Sequence, residues 1–403
     1  MRDSLRQPLA VVSASTSVLT SLLAAALVTV FVFARDAAFA QEPPPPAASA
    51  AVANEAKPTA TDTKPTVTFG AFVDGYYAWD FNRPATFDRP YTTQPARHAE
   101  FNVNLAFVEA KLDAPSVRGR FAAQFGTSVQ ANYAGEPHIG HISGPGVSQY
   151  VQEAVIGYKI SPTLWVDGGV FFAHTGFEGW ISRDNLAYTR SLIAEFSPYY
   201  EAGVKLTWTP SPAVTAQLLV LNGWQNISNY NTPPAAGIRV DYIASPIVTL
   251  SYDNFFGDVA ADGVPAQYRL YHDFIAQLAP SDRWQLAGTF SLGTQSRSTP
   301  DGGTATWYGF SVFAKYKVNS HVSVVARLER YSDPDQVIVM TGLPDAFRTN
   351  GASLGVDVTP VPKLLWRTEL RGFRSDAAVW PLHESGDFGK DDLFAVTSLA
   401  LTF

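Results

Sequence analysis

From Thr66 onward, apolar residues recur at every second position in segment after segment, and short connectors between segments alternate with long ones. Val67, Phe69, Ala71, Val73 and Tyr77 share one parity, against Thr68, Gly70, Asp74 and Tyr76 on the other. In 364–373, Trp366 and Leu370 oppose Arg367, Glu369 and Arg371; in 237–242, Ile238, Val240 and Tyr242 oppose Arg239 and Asp241. A period of two is the signature of a strand with two unlike faces, and a strand covered on both sides would instead read as one apolar run. Sixteen such segments are predicted: 66–79, 100–113, 118–131, 149–160, 164–172, 198–209, 214–222, 235–244, 247–256, 267–279, 284–293, 304–317, 322–331, 350–359, 364–374 and 392–403.

The short connectors carry Pro, Ser, Asn or Asp, as in Ser161-Pro162-Thr163, Ser245-Pro246 and Asn319-Ser320-His321; the long ones include 80–99, 132–148, 173–197 and 375–391. An even strand number with short turns on one side and long loops on the other predicts an all-β fold, a transmembrane antiparallel up-and-down β-barrel of about 16 strands. A soluble β-sandwich, the rival, does not keep that alternation of connector lengths.

Composition agrees. The chain is 46% hydrophobic yet only 16% charged, where a soluble domain carries about 25% charged residues. After the amino-terminal segment no apolar run approaches the roughly 18 residues of a helical span. That segment reads as a signal peptide over 1–40: Arg2 and Arg6, an apolar stretch over 22–34 ended by Arg35 and Asp36, then Ala38-Phe39-Ala40 before a cleavage site at Gln41. Residues 41–65 are rich in proline and alanine and read as a periplasmic linker, leaving 66–403 for the barrel.

Wall charges follow parity. Glu109, Lys111, Glu153, Lys159, Glu201, Lys205, Arg239, Asp241, Arg269, Asp273, Lys315, Arg327, Glu329, Arg367, Glu369 and Arg371 all lie opposite the apolar face. A Lys or Arg facing lipid at mid-membrane costs about 2–4 kcal/mol, so these side chains are predicted to line a lumen, which sixteen strands make wide enough for water; a lattice of paired ions filling it is the alternative. Trp208, Trp284 and Trp366 beside short turns, and Trp79, Trp224 and Trp307 at the other strand ends, are assigned to the two membrane interfaces. Trp165 breaks the parity. The loop 173–197 mixes Glu178, Arg183, Asp184, Arg190 and Glu195 with Phe177, Trp180, Tyr188 and Leu192. Apolar content of that kind needs burial, so the loop is expected to fold into the barrel as a constriction or to pack on a neighbouring subunit.

Chemistry finds little footing. There is no cysteine, and neither G-x-S-x-G nor H-E-x-x-H occurs. His138 and His141 stand three apart in a Gly-Pro-rich loop with no carboxylate beside them, so neither metal nor cofactor is expected. A formal charge of −7 without a basic patch gives no reason to expect nucleic acid as a partner.

Several short pieces, in order, resemble the OmpL-like β-barrel porin family over 69–403. They are Phe72-Val73-Asp74-Gly75-Tyr76-Tyr77, Gly176-Phe177-Glu178, Thr189-Arg190-Ser191-Leu192, Pro198-Tyr199-Tyr200-Glu201-Ala202-Gly203-Val204, Leu221-Asn222-Gly223-Trp224 and Arg327 to Asp333. Ala173-His174-Thr175 departs from the family, whose members often carry a proline before Gly-Phe-Glu. The terminal Phe403 resembles the carboxy-terminal signal by which outer-membrane barrels meet their assembly machinery. The resemblance implies a channel role without a defined substrate; lumen width and wall charge make small hydrophilic solutes and ions its expected cargo, in the lipid of a Gram-negative outer membrane, the absent motifs leave no enzyme to expect, and the apolar loop leaves a homo-oligomer open. A structural or adhesive barrel is the alternative.

Overall fold

The computed structural model describes residues 64–297, 302–344, 346–383 and 386–403; the signal peptide and nearly all of the linker expected from the sequence lie outside them. Sixteen antiparallel strands close into one barrel. They are β1 (Thr66–Asp80), β2 (Phe101–Asp113), β3 (Val117–Phe125), β4 (Val151–Ser161), β5 (Leu164–Phe172), β6 (Tyr200–Ser211), β7 (Val214–Leu221) and β8 (Ala235–Ser245). The second half runs β9 (Val248–Asp258), β10 (Tyr268–Ser281), β11 (Trp284–Ser296), β12 (Thr304–Lys317), β13 (Val322–Asp333), β14 (Phe347–Val361) and β15 (Leu364–Ser375), then β18 (Asp391–Thr402). Two-residue strands β16 (Trp380–Pro381) and β17 (Phe388–Gly389) form a small hairpin in the last loop. Every strand pairs with its neighbour in sequence, and β18 closes the cylinder on β1, Phe72 opposite Thr402 and Asp80 opposite Phe394.

Local chemistry sets the turns. Ser-Pro-x links β4 to β5, β6 to β7 and β8 to β9, with proline supplying the φ near −65° that the first turn position wants. All the short turns share the rim that carries both ends of the barrel; we call it the turn rim, and the opposite one the loop rim. The predicted third strand ends early. At Gly126 (φ 140°) the chain leaves the sheet, and residues 127–133 form a helix instead. A Cβ at Gly126 would strike the Asn104 carbonyl, and only glycine takes that backbone shape without penalty.

Register sorts the two faces. Outward Val108, Phe121, Ile156 and Leu354 are 56–73% exposed, whereas inward Glu201, Asp273 and Arg371 are at 0%. An outward apolar belt with polar groups inside is what lipid demands. Trp79, Trp208, Trp284 and Trp366 take the outward parity. Two of the assigned interface tryptophans do not. Trp307, opposite Gly293, points inward and is fully buried because the missing side chain leaves room for its indole. Trp224 lies beyond the end of β7 and packs edge-on against the inward Phe255 and Tyr271, with Arg269 over its ring. Both are corrections to the sequence reading. The Trp165 exception also resolves: opposite Lys159 and Thr207, it faces the interior.

Placing a charge on the outward face is expected to abolish assembly. Val240→Arg and Leu370→Arg each set a guanidinium against lipid, at about 2–4 kcal/mol. Lys111→Ala, at a half-exposed interior site, is expected to leave the folded barrel intact. Equal amounts of heat-modifiable folded barrel in all three on a gel would overturn the register.

Candidate functional site

The interior is the site, and one segment dominates it. Residues 173–199, between β5 and β6, run down inside the barrel from the loop rim to the turn rim. Arg183 reaches the far end, donating to the Lys363 carbonyl at 2.8 Å and the Thr402 hydroxyl at 2.7 Å. Its apolar side chains find partners on the inner wall: Phe177 meets Phe313 edge-on, Ile193 presses on Gly309, and Phe196 packs on Tyr331. Gly309 is needed there, since a Cβ would lie 2.7 Å from Ile193.

An irregular segment held away from bulk water must still satisfy its backbone N–H and C=O groups. Here the wall charges do it. Arg239 donates to the carbonyls of His174 (2.7 Å) and Gly176 (2.8 Å), and Asp253 accepts from the Gly176 N–H. Arg367 donates to the carbonyls of Ser182, Asn185 and Leu186 while paired with Asp357. Around Thr189 the two are knitted together. Arg327 donates to its carbonyl (2.6 Å) and hydroxyl oxygen, and Glu369 accepts from its N–H (2.8 Å) and hydroxyl. Glu329 accepts from the Leu192 N–H and pairs with Arg371 and Arg327.

The charges expected to line water therefore divide. All lie on interior parity, but Glu201, Arg239, Arg269, Asp273, Arg327, Glu329, Arg367, Glu369 and Arg371 are buried, most of them against the loop. Lys205, Asp241 and Lys315 remain partly exposed. Within the loop, Glu178 is buried on the backbone and hydroxyl of Ser191, and Glu195 on Thr93 and Tyr199. Arg190 stacks 3.5 Å over Tyr199. Only Arg183 and Asp184 of the five loop charges keep contact with solvent. The expectation of a water-lined mid-wall is corrected accordingly: most of the buried wall charges pair with one another and bond the loop's backbone, because leaving a buried charge unpaired costs several kcal/mol.

Sequence reasoning missed a second contribution. The helix over 127–133 buries Val129 and Tyr133 against Phe72, Leu105 and Phe107, and Ser128 accepts the indole N–H of Trp180. The loop over 81–99 crosses the loop rim, where Gln94 donates to the Trp180 carbonyl and Tyr91 to that of Val379. In that loop burial pushes the Tyr91 phenol up to about 12 and lowers the His98 imidazole, whose Nδ1 accepts from the Asp80 N–H and is thus unprotonated. His138 and His141 are both exposed, and among the described residues no cluster of three or more potential metal ligands occurs.

A closed sixteen-strand barrel with short turns on one rim, long loops on the other and a loop folded inside defines the porin class of outer-membrane proteins. The chain belongs to the family described as beta-barrel porin-2, OmpL-like, which it matches over residues 66–403. No curated protein matches it. Among solved structures it is similar to an anion-selective porin from Comamonas acidovorans, at 12% identity and a TM-score of 0.55, covering 84% of this chain and 100% of that one. It is also similar to the outer-membrane channel DcaP of Acinetobacter baumannii (13%, TM-score 0.57, 84% and 97% covered). A third is the trimer form of OmpT from Vibrio cholerae (10%, TM-score 0.51, 85% and 100%). These likenesses establish the fold, and the family places the chain among porin-type barrels of the Gram-negative outer membrane.

Proposed function

We propose that this barrel is a passive channel for small hydrophilic solutes and ions, with residues 173–199 as its constriction. The observation that carries this reading is the division of the interior. Toward the loop rim, inward Leu105, Gln124, Phe171 and Tyr271 are buried. Toward the turn rim, Lys111, Arg118, Lys159, Lys205 and Lys315 are partly exposed. A charged, wetted vestibule below a loop-narrowed section suits selection by size and dipole. Both ends of the barrel lie on the turn rim, so a secreted chain with a cleaved leader at 1–40 and a linker at 41–65 has that rim in the periplasm. Phe403, 62% exposed at the end of the closing strand, is the side chain offered to the assembly machinery. The trimeric form of one structural relative supports a homo-oligomer.

The dense packing around Thr189 favours a second reading, a barrel with a structural or adhesive role. Single-channel recording of purified protein in planar bilayers separates the two. Discrete conductance steps in potassium chloride are expected; a folded, inserted barrel without them would leave the scaffold reading standing.

A further inference from the structure

The constricting segment leaves β5 through a buried cluster in which acids outnumber bases. Glu201 on β6, Asp241 on β8, Asp253 on β9 and Asp273 on β10 stand against Arg239 on β8 and His174 of the segment itself. Arg239 takes Asp241 in a bidentate pair, Nε at 3.0 Å and Nη2 at 2.9 Å, and reaches Asp253 at 3.4 Å. No other base relieves the excess. The Lys205 ammonium lies 4.6 Å from the centre of the Phe171 ring, and Arg269 donates to the Gln295 side chain. Asp167 on β5 is taken by Arg118, while β7 and β11 offer the inner face Gln217, Thr289 and Ser291 and no charge.

Asp253 and Asp273 stand directly opposite each other on adjacent strands, and both are fully buried. One oxygen of Asp253 accepts from the Gly176 N–H and from Arg239; one oxygen of Asp273 accepts from the Thr289 hydroxyl, 2.6 Å away. The second oxygen of each is buried and meets no donor among the described residues. Cross-strand neighbours lie about 5 Å apart, so two carboxylates face each other with one orphan acceptor apiece. Like charges this close cannot both ionise away from water. One proton held between the orphan oxygens turns the repulsion into a charge-assisted hydrogen bond.

His174 makes the same demand. Its Nε2 lies 2.7 Å from the Asn254 carbonyl, which can only accept, so Nε2 carries hydrogen. Its Nδ1 lies 2.9 Å from both oxygens of Glu201. A bare lone pair there would face a carboxylate, so Nδ1 and Glu201 share a second proton. Gly237 leaves room for the ring, since a Cβ would come 2.5 Å from Nε2.

We propose that these two pairs form a proton-held latch: protonated, they fasten the root of 173–199 to the wall, and ionised, they release it, so that the channel widens as pH rises. The latch rests on the channel reading and adds its regulation. Each pair bonds the segment directly. Asp253 accepts from the Gly176 N–H, Glu201 accepts from the His174 N–H, and Arg239, paired with Asp253, donates to the carbonyls of both residues. The docked root holds two protons that a hydrated, released root does not need. Docking is therefore favoured at low pH and is lost as pH rises past the ordinary carboxylate and imidazole values, about 4 and 6.5. Both pairs act in the same sense.

The test records single-channel conductance of the full-length barrel from about pH 5 to about pH 9.5, the span over which shared protons of this kind are lost. A rise of about twofold or more is expected as the constriction opens. Asp273→Asn keeps an oxygen for Thr289 and offers Asp253 an amide N–H; Glu201→Gln offers one to Nδ1 of a neutral imidazole. Each fastens its pair without a titrating proton, so each is expected to shrink the rise, and the two together to hold the low-pH conductance throughout. Lys111→Ala, whose lysine pairs with Glu109, is expected to keep the full rise. Heat-modifiable migration reports folding, and either single variant carries the test if the double folds poorly. A parent with a flat response, its orphan oxygens met by water instead of a proton, overturns the latch. So does a rise that the amide variants leave intact.

A second measurement separates the latch from the channel. Thr175→Cys, at a side chain 6% exposed in a chain without cysteine, is labelled with a maleimide, alone and together with Asp273→Asn. Comparison at one pH removes the reagent's own pH dependence. Labelling is expected to be several-fold faster without the Asn at about pH 9, and equal at about pH 5.5, where both roots stay docked. Equal rates at both pH values overturn the latch. A barrel silent at every pH whose labelling still diverges keeps the latch and sinks the channel.

Discussion

Deleting residues 179–187 and joining the ends with a short glycine-serine bridge is expected to raise single-channel conductance several-fold while the barrel still assembles. The excised stretch includes Trp180, Ser182, Arg183, Asn185 and Leu186, whose side chains or carbonyls span from the helix at 127–133 to the turn rim. Removing it strips three carbonyl acceptors from Arg367, but Asp357 remains its partner and water entering the widened lumen replaces the rest. The strands keep their own hydrogen-bond ladders, so closure does not depend on the loop. Unchanged conductance in a barrel that still migrates as folded would remove the segment from the conducting path.

Breaking the clamp at Thr189 is expected to have the second large effect. Glu369 is 1% exposed, pairs with Arg327 at 2.9 Å and holds both the N–H and the hydroxyl of Thr189. Truncating one partner of a buried ion pair costs about 3–5 kcal/mol where the other charge is left uncompensated; Arg327 keeps Glu329 at 3.2 Å, so the loss here falls below that range and is added to by the two lost bonds to Thr189. Barrel closure resides in the strand ladders, so Glu369→Ala directs that loss at loop docking. The loop should detach, and trypsin should then cut after Arg190, which is 2% exposed in the parent. Full protection of Arg190 in the folded variant would show that the clamp does not hold the loop.

How far the sequence carried is instructive at particular residues. Strand parity was legible because lipid outside and charge inside impose opposite demands on alternate positions, and no assigned wall charge fell on the wrong face. Trp224 was misread because parity ends where the strand ends; beyond Leu221 nothing ties side-chain direction to position. Trp307 is different, for its alternation with Ala305 and Gly309 already placed it inward, and proximity to a loop was the wrong guide. The helix at 127–133 was hidden because Val129, Ala131 and Tyr133 alternate with Ser128, Gln130 and Asn132 and so extend the β3 pattern equally well, and Gly126 was its one local sign. The apolar residues of 174–197 did announce burial. Their partners did not, because Thr189 and Glu369 stand 180 positions apart and meet only through the fold. That separation also concealed what the wall charges do: counted alone they suggest a wet pore, and counted with the loop's carbonyls they are ligands for a backbone.

The pairing of β1 with β18 has a consequence for how the molecule comes into being. Of the wall's seams, fifteen join strands near one another along the chain, so each can form as soon as its own hairpin exists. The sixteenth joins the two extremes of the barrel, Phe72 to Thr402, and must wait for the last residue. Contacts of such sequence separation are slow to form, since loop closure is paid for before any of it is returned. Until then both terminal strands present unpaired N–H and C=O groups, each an open template for a foreign strand. Assembly by successive hairpins therefore leaves the β1–β18 seam until last, and the wall is at its most adhesive just before that seam closes.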